Sequence, residues 1–157
     1  MHRYRHAEAT EQPKGRRSPG RNRQGETLVS QGGADSSRAL RVIVCDDTRQ
    51  VRTLIKTELS LEPDIVVVGE AANGAEAIDL ARAEQPDVVL LDLGMPVMDG
   101  LEALPKIKQV APTARIIVFS SSDVAEMAEK AVAAGAVRYI QKTAPAQQLV
   151  AAVRTTE

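Results

Sequence analysis

"VVLLDLGMPVMDG", residues 88–100, sets a carboxylate, Asp92, against the most apolar run of the chain. The unbroken Val88–Leu91 run reads as a strand buried on both faces, the pattern of a parallel sheet. A charge buried there without a partner costs several kcal/mol. Directly after it come Gly94, Met95-Pro96 and Asp99-Gly100, a run of turn formers. The chain therefore carries an acid to the end of a buried strand and turns at once.

Working outward, the same grammar repeats. "RVIVC" (41–45), "IVVVGE" (65–70), "DVVLL" (87–91), "RIIVF" (115–119) and "VRYI" (137–140) read as strands. Between them, Val51, Leu54, Ile55 and Leu59 mark one helical face, and Ala77, Ile78, Leu80 and Ala81 another. Asn73/Glu76, Asp99/Glu102 and Asp123/Glu126 have the spacing of capping boxes. A last helix is expected over 145–154, with Pro145 in its opening turn. Strands alternating with helices predict an α/β fold: a five-stranded parallel sheet covered by helices on both faces, with right-handed crossovers.

The chain has 157 residues, 43% hydrophobic but only 2% aromatic, which suits a core of Val, Ile, Leu and Ala. One cysteine, Cys45, excludes an internal disulfide and reads as a small apolar strand residue. No run approaches the roughly 20 apolar residues of a membrane helix, and the basic start lacks the apolar stretch of a secretory signal. A cytoplasmic protein without membrane contact is expected. Residues 1–38 hold eight Lys/Arg against four acids, and the remainder twelve against seventeen. The first part lacks apolar periodicity, so a disordered basic tail is expected over 1–38 and a folded domain over 39–157. Tyr4 alone breaks the tail's lack of aromatics, which argues for a solvated arm over a nucleic-acid site.

In open α/β sheets, ligands bind beyond the carboxyl ends of the strands. Those ends carry Asp46-Asp47, Asp92, Ser120 and, after the last strand, Lys142. A lone strand-end Asp is most often a helix cap, and Asp46 or Asp47 could cap the first helix; Asp99 is assigned to capping. Three carboxylates gathered on one rim are another matter. At 4 Å and an effective dielectric near 20, each pair costs about 4 kcal/mol, so either one is protonated or a cation sits among them. Carboxylate and carbonyl oxygens suit Mg²⁺. Lys142 and Ser120 then suit phosphoryl oxygens, and Asp92 becomes a candidate nucleophile, since carboxylates can form aspartyl phosphates.

Taken together, "VCDDT", "DLGMPVMDG", "FSSSD" and "YIQK" resemble, in order and spacing, the receiver domain of bacterial two-component response regulators. The resemblance spans about residues 40–154. It implies a flavodoxin-like receiver fold with strand order 2-1-3-4-5. It also implies that Asp92 is the phosphoacceptor and that Asp47, Asp92 and the Gly94 carbonyl hold Mg²⁺, with Asp46 helping through water. Ser120 and Lys142 would contact the phosphoryl oxygens, and Tyr139 would be the switch aromatic, although a half-buried strand Tyr needs no such role. The implied function is a single-domain response regulator of a phosphorelay. It would accept phosphoryl groups from a sensor histidine kinase or phosphotransfer protein and signal to a downstream protein target. It is not expected to be an enzyme beyond slow self-phosphorylation and dephosphorylation. Gly94 and Ser122, which the resemblance makes the tuners of hydrolysis, are too short to line up a water, so slow intrinsic dephosphorylation is expected.

Two features depart from the family pattern. Lys142 is followed by Thr143 where many receivers carry proline, and a non-proline cis bond costs about 3–4 kcal/mol. "KTAP" (142–145) resembles receivers joined to helix-turn-helix output domains, yet the sequence ends at Glu157. The alternative reading is thus the receiver part of a DNA-binding transcriptional regulator, with no nucleic-acid contact by the folded domain itself. A haloacid-dehalogenase-type phosphatase would place a second Asp two residues past the nucleophile, where this chain has Gly94.

Overall fold

A computed structural model describes residues 38–122 and 125–155, which lie in the unit Ser37–Glu157. The expected disorder of the tail and the Asp123 cap fall outside the described residues, apart from Arg38. Five strands alternate with five helices: β1 (Leu40–Cys45), α1 (Arg49–Ser60), β2 (Ile65–Ala71), α2 (Gly74–Glu84), β3 (Val88–Leu91), α3 (Gly100–Val110), β4 (Arg115–Ser120), α4 (Ala125–Ala133), β5 (Arg138–Gln141) and α5 (Ala146–Arg154). The strands form one parallel sheet in the order 2-1-3-4-5. This is the expected α/β architecture.

Strand side chains alternate between two apolar layers, which is why these runs can be apolar at every position. Ile43, Val89, Leu91, Ile116 and Val118 pack with Ala77, Ala81, Leu104 and Ile107 of α2 and α3. Val42, Val44, Val88, Leu90 and Ile117 pack with Ile55 and Leu59 of α1 and Leu149 and Val153 of α5. β3, in the middle, is buried at all four positions. Each such side chain contributes about 1.5–3 kcal/mol by burial, so β3 fixes the register on which the site depends.

Two capping expectations are met. Asn73 accepts from the Glu76 amide at 2.9 Å, and Asp99 from the Glu102 amide at 2.8 Å. Two details differ from the sequence reading. Pro145 is the N-cap of α5, with extended backbone (ψ 147°), so the helix begins one residue later. Leu54, expected on the buried face of α1, is 61% exposed. The helix seats itself through the Ile55 and Leu59 line, which leaves Leu54 overhanging a crevice bordered by Phe119, Ala144 and Leu149. Among the described residues there is no cis peptide bond, so Lys142–Thr143 is trans. No described helix is long and apolar enough to cross a membrane.

Candidate functional site

The carboxyl ends of β1 and β3 are neighbours because these strands pair directly, Cys45 opposite Leu91. The next residue of each is therefore delivered to one rim: Asp46 and Asp47 from β1, Asp92 from β3. Backbone bonds fasten both exits, with the Asp92 amide donating to the Cys45 carbonyl (2.9 Å) and the Asp46 amide to Ala71 (3.0 Å). β4 ends at Ser120 on the far side of β3, and Lys142 follows β5, its amide donating to the Ser120 carbonyl at 2.8 Å.

The structure brings Asp46, Asp47 and Asp92 together, with one carboxylate oxygen of each lying within 4.8 Å of the others. Asp46 and Asp92 are buried, and Asp47 is exposed. The Lys142 ammonium bridges the two buried acids, 2.5 Å from Asp46 Oδ2 and 3.1 Å from Asp92 Oδ2. Asp46 divides its oxygens: Oδ1 accepts from the Thr48 amide at 2.8 Å, which forms the turn into α1. Oδ2 is fully buried and receives no well-aligned hydrogen bond, the Lys142 contact being a close approach of charges. Asp92 Oδ1 accepts from the Gly94 amide at 3.3 Å. Ser120 is buried, and its hydroxyl oxygen accepts from the Ser122 amide at 3.3 Å.

These neighbours set the proton affinities. Burial pushes the Asp92 carboxyl above its ordinary value, Lys142 opposes the rise and Asp46 adds to it. For Lys142, burial pulls downward, but the close contact with Asp46 and the charges of Asp92 and Asp46 outweigh it, leaving the ammonium raised. The buried Cys45 thiol is pushed up by desolvation, with Asp46 and Glu76 reinforcing it, so it stays an unreactive core residue.

The donor set fits a small hard cation: three carboxylates, a buried carboxylate oxygen lacking a hydrogen bond, and an exposed Gly94 backbone at the same rim. A Cβ at Gly94 would meet nothing within 4 Å, so that rim is open. A Cβ at Gly100, by contrast, would lie 2.0 Å from the Asp92 carbonyl oxygen, so only glycine lets α3 start against the site strand.

Tyr139 does not join the acids. It is half-buried against the α2–α3–α4 layer and donates its hydroxyl to the Ser122 carbonyl at 2.6 Å, tying β5 to the exit of β4. Sequence reading missed the latch formed by Arg52, which donates to the Asp46 carbonyl at 2.6 Å and pairs with Glu70 of β2 at 3.3 Å. No local signal marks that pair, because its partners sit on different elements. It missed Val97 as well. This β-branched residue is 87% exposed with φ +67°, and the Met98 amide donates to the Pro96 carbonyl at 2.7 Å around it. Such backbone is rare for Val and persists only when its surroundings enforce it. Here the Met98 carbonyl accepts from the Gly74 amide at 2.9 Å, and the Gly100 amide donates to Leu93 at 3.1 Å.

Comparison with known proteins agrees with this geometry. Residues 42–154 match the family model of the response regulator receiver domain. The nitrate/nitrite response regulator protein NarL of Escherichia coli is 42% identical over 112 residues, 71% of this chain and 52% of that protein. The chain thus spans about half the length of that curated relative. The signal receiver domain of the putative response regulator NarL from Mycobacterium tuberculosis superposes with a TM-score of 0.71 at 34% identity, over 74% of this chain and 94% of that one. A response regulator from Burkholderia pseudomallei, solved with a phosphorylated aspartic acid, a calcium ion and citrate, gives 0.68 at 28% identity, over 74% and 67%. With sheet order, rim acids and family model in agreement, the chain belongs to the response regulator receiver domain family.

Proposed function

We propose that Asp92 accepts a phosphoryl group, and that its modification is the signal this receiver passes on. Receiver domains take phosphoryl groups from histidine kinases or phosphotransfer proteins, act on downstream targets and bind Mg²⁺ at an acidic pocket. The observation that carries the reading is the buried Asp92 carboxylate held between a second buried acid and an ammonium, on an open rim.

Asp92 attacks phosphorus through a carboxylate oxygen, forming the O–P bond while the donor's leaving group departs with the bonding electron pair. Lys142 lies 3.1 Å from that carboxylate and supplies positive charge to the phosphoryl oxygens as they arrive. Ser120 accepts from a backbone amide, which leaves its hydroxyl proton to donate to a phosphoryl oxygen. Asp47, Asp92 and the Gly94 carbonyl would hold Mg²⁺, with Asp46 helping through water. When bound, the ion neutralises carboxylate and phosphoryl charge. The phosphorylated aspartate and the divalent ion of the Burkholderia relative support both assignments by analogy. Tyr139, bonded to the β4 exit through Ser122, is the proposed relay from Ser120 to the surface. The domain is a phosphoacceptor that resets slowly, in place of a turnover enzyme. This reading concerns residues 39–157 and is the same whether they act alone or ahead of an output domain.

The test is labelling with acetyl phosphate and Mg²⁺. One acid-labile, hydroxylamine-sensitive phosphoryl group is expected per chain, and none in Asp92→Asn. Equal labelling of Asp92→Asn would refute the assignment.

A further inference from the structure

Every Lys and Arg among the described residues makes an ion pair or a hydrogen bond, except two. Arg49 and Arg138 do neither, and both are exposed. They occupy opposite ends of the sheet. Arg138 opens β5, which then runs toward Lys142 and the site. Arg49 is the first residue of α1, two positions after Asp47 of the acidic rim.

Local helix physics disfavours a cation there. The helix N-terminus carries a partial positive charge, so acids are favoured in the first turn and cations are not. In α1 the first turn holds no acid, and Thr48 makes no side-chain cap bond that would offset this. Glu76, Glu102 and Glu126 stand in the first turns of α2, α3 and α4, while the first turn of α5 holds neither acid nor cation. Among the described helices, a first-turn cation therefore falls only on α1, which begins at the site's first acid pair.

Its direction is set as well. Side chains of a helix lean toward its N-terminus, so a long chain at the first position can reach the rim. Two peptide units keep the Cα of Arg49 within about 7.6 Å of that of Asp47. Around that rim, Asp46, Asp47 and Asp92 face one ammonium, Lys142, so the site of the protein alone carries net negative charge. Mg²⁺ would offset most of that charge when bound, and a further cation on the rim adds a net attraction for a dianionic phosphodonor.

We propose that Arg49 is a positioning residue that draws small dianionic phosphodonors, of the acyl-phosphate class, toward Asp92. This rests on Asp92 being the phosphoacceptor. In the reaction the Asp92 oxygen forms the bond to phosphorus, the acyl–oxygen bond to phosphorus breaks, and the carboxylate product leaves with the electron pair. Arg49 contributes electrostatic attraction during approach and takes no proton.

The experiment measures the second-order rate of labelling of the full chain by acetyl phosphate with Mg²⁺, at low and high ionic strength. At an ionic strength near 30 mM, a unit charge about 8 Å from a dianion changes the rate by about threefold, and reversing it by about tenfold. Arg49→Ala should therefore label about threefold more slowly and Arg49→Glu about tenfold more slowly, while Arg49→Lys stays near wild type. At about 0.5 M salt the differences should shrink to within about twofold. Arg138→Glu, the same charge change at the far edge, should label as wild type throughout. The proposal is overturned if Arg49→Glu labels normally at low salt, if its deficit persists at high salt, or if Arg138→Glu slows equally. A wild type that does not label, or an Asp92→Asn variant that does, would instead remove the phosphoacceptor reading, and this proposal with it.

Discussion

Lys142→Met removes the cation between two buried acids while keeping most of the side-chain volume. In the wild type the ammonium lies 2.5 Å from Asp46 Oδ2 and 3.1 Å from Asp92 Oδ2. The acids themselves come within 4.8 Å of each other. At an effective dielectric of 20, two carboxylates at that separation repel by about 3.5 kcal/mol. That matches the roughly 3–5 kcal/mol lost when one partner of a buried ion pair is deleted. Near pH 7.5 and without Mg²⁺, the variant should therefore unfold with about 3–4 kcal/mol less stability. The deficit must depend on pH. Without Lys142 the carboxyl of Asp92, already raised by burial, titrates higher still in the folded state than in the unfolded one. A group with a raised folded pKa favours folding below its unfolded pKa and loses that contribution as pH rises through the folded value. The loss should hence be smaller near pH 5 than near pH 7.5. Mg²⁺ should restore part of it by binding the folded form. Urea denaturation at both pH values, with and without Mg²⁺, makes the measurement. A deficit indifferent to both pH and Mg²⁺ would refute the electrostatic reasoning and leave only lost packing.

Two further outcomes follow from the rim. Mg²⁺ affinity, followed by titration of the purified protein, should drop in Asp47→Ala and weaken with acidification, because carboxylate ligands must be deprotonated; unchanged affinity would take Asp47 out of the site. Gly94 has room for a side chain and no left-handed backbone to defend, so Gly94→Asn combined with Ser122→Glu should fold and hold a water against the aspartyl phosphate. Decay after donor removal should then quicken by roughly tenfold, about 1.4 kcal/mol of barrier, whereas decay of the wild type within seconds would sink the expectation of a slow reset.

The sequence by itself determined the alternation of strand and helix, the caps at Asn73 and Asp99, and the arrival of Asp46, Asp92, Ser120 and Lys142 at strand ends. Those features are periodic or nearest-neighbour in origin, and a chain displays them before it folds. Sheet order came through resemblance, because nothing in local periodicity says which strands pair. Other features were settled only by tertiary structure. Sequence reading assigns Lys142 to the phosphoryl oxygens, and the sheet carries it to Asp46 Oδ2, which makes it a structural counterion as well. Leu54 follows the helical period of Ile55 and Leu59, yet α1 docks along a neighbouring line and leaves it exposed. Val97 is held left-handed because Gly74 of α2 and Leu93, just past β3, fix the backbone on either side of it. Arg52 finds Glu70 because β1 and β2 pair, whereas Arg49 makes no ion pair although Asp47 lies two residues before it. Charges meet by the packing of whole elements, and that packing is decided by cores that no single stretch of sequence contains.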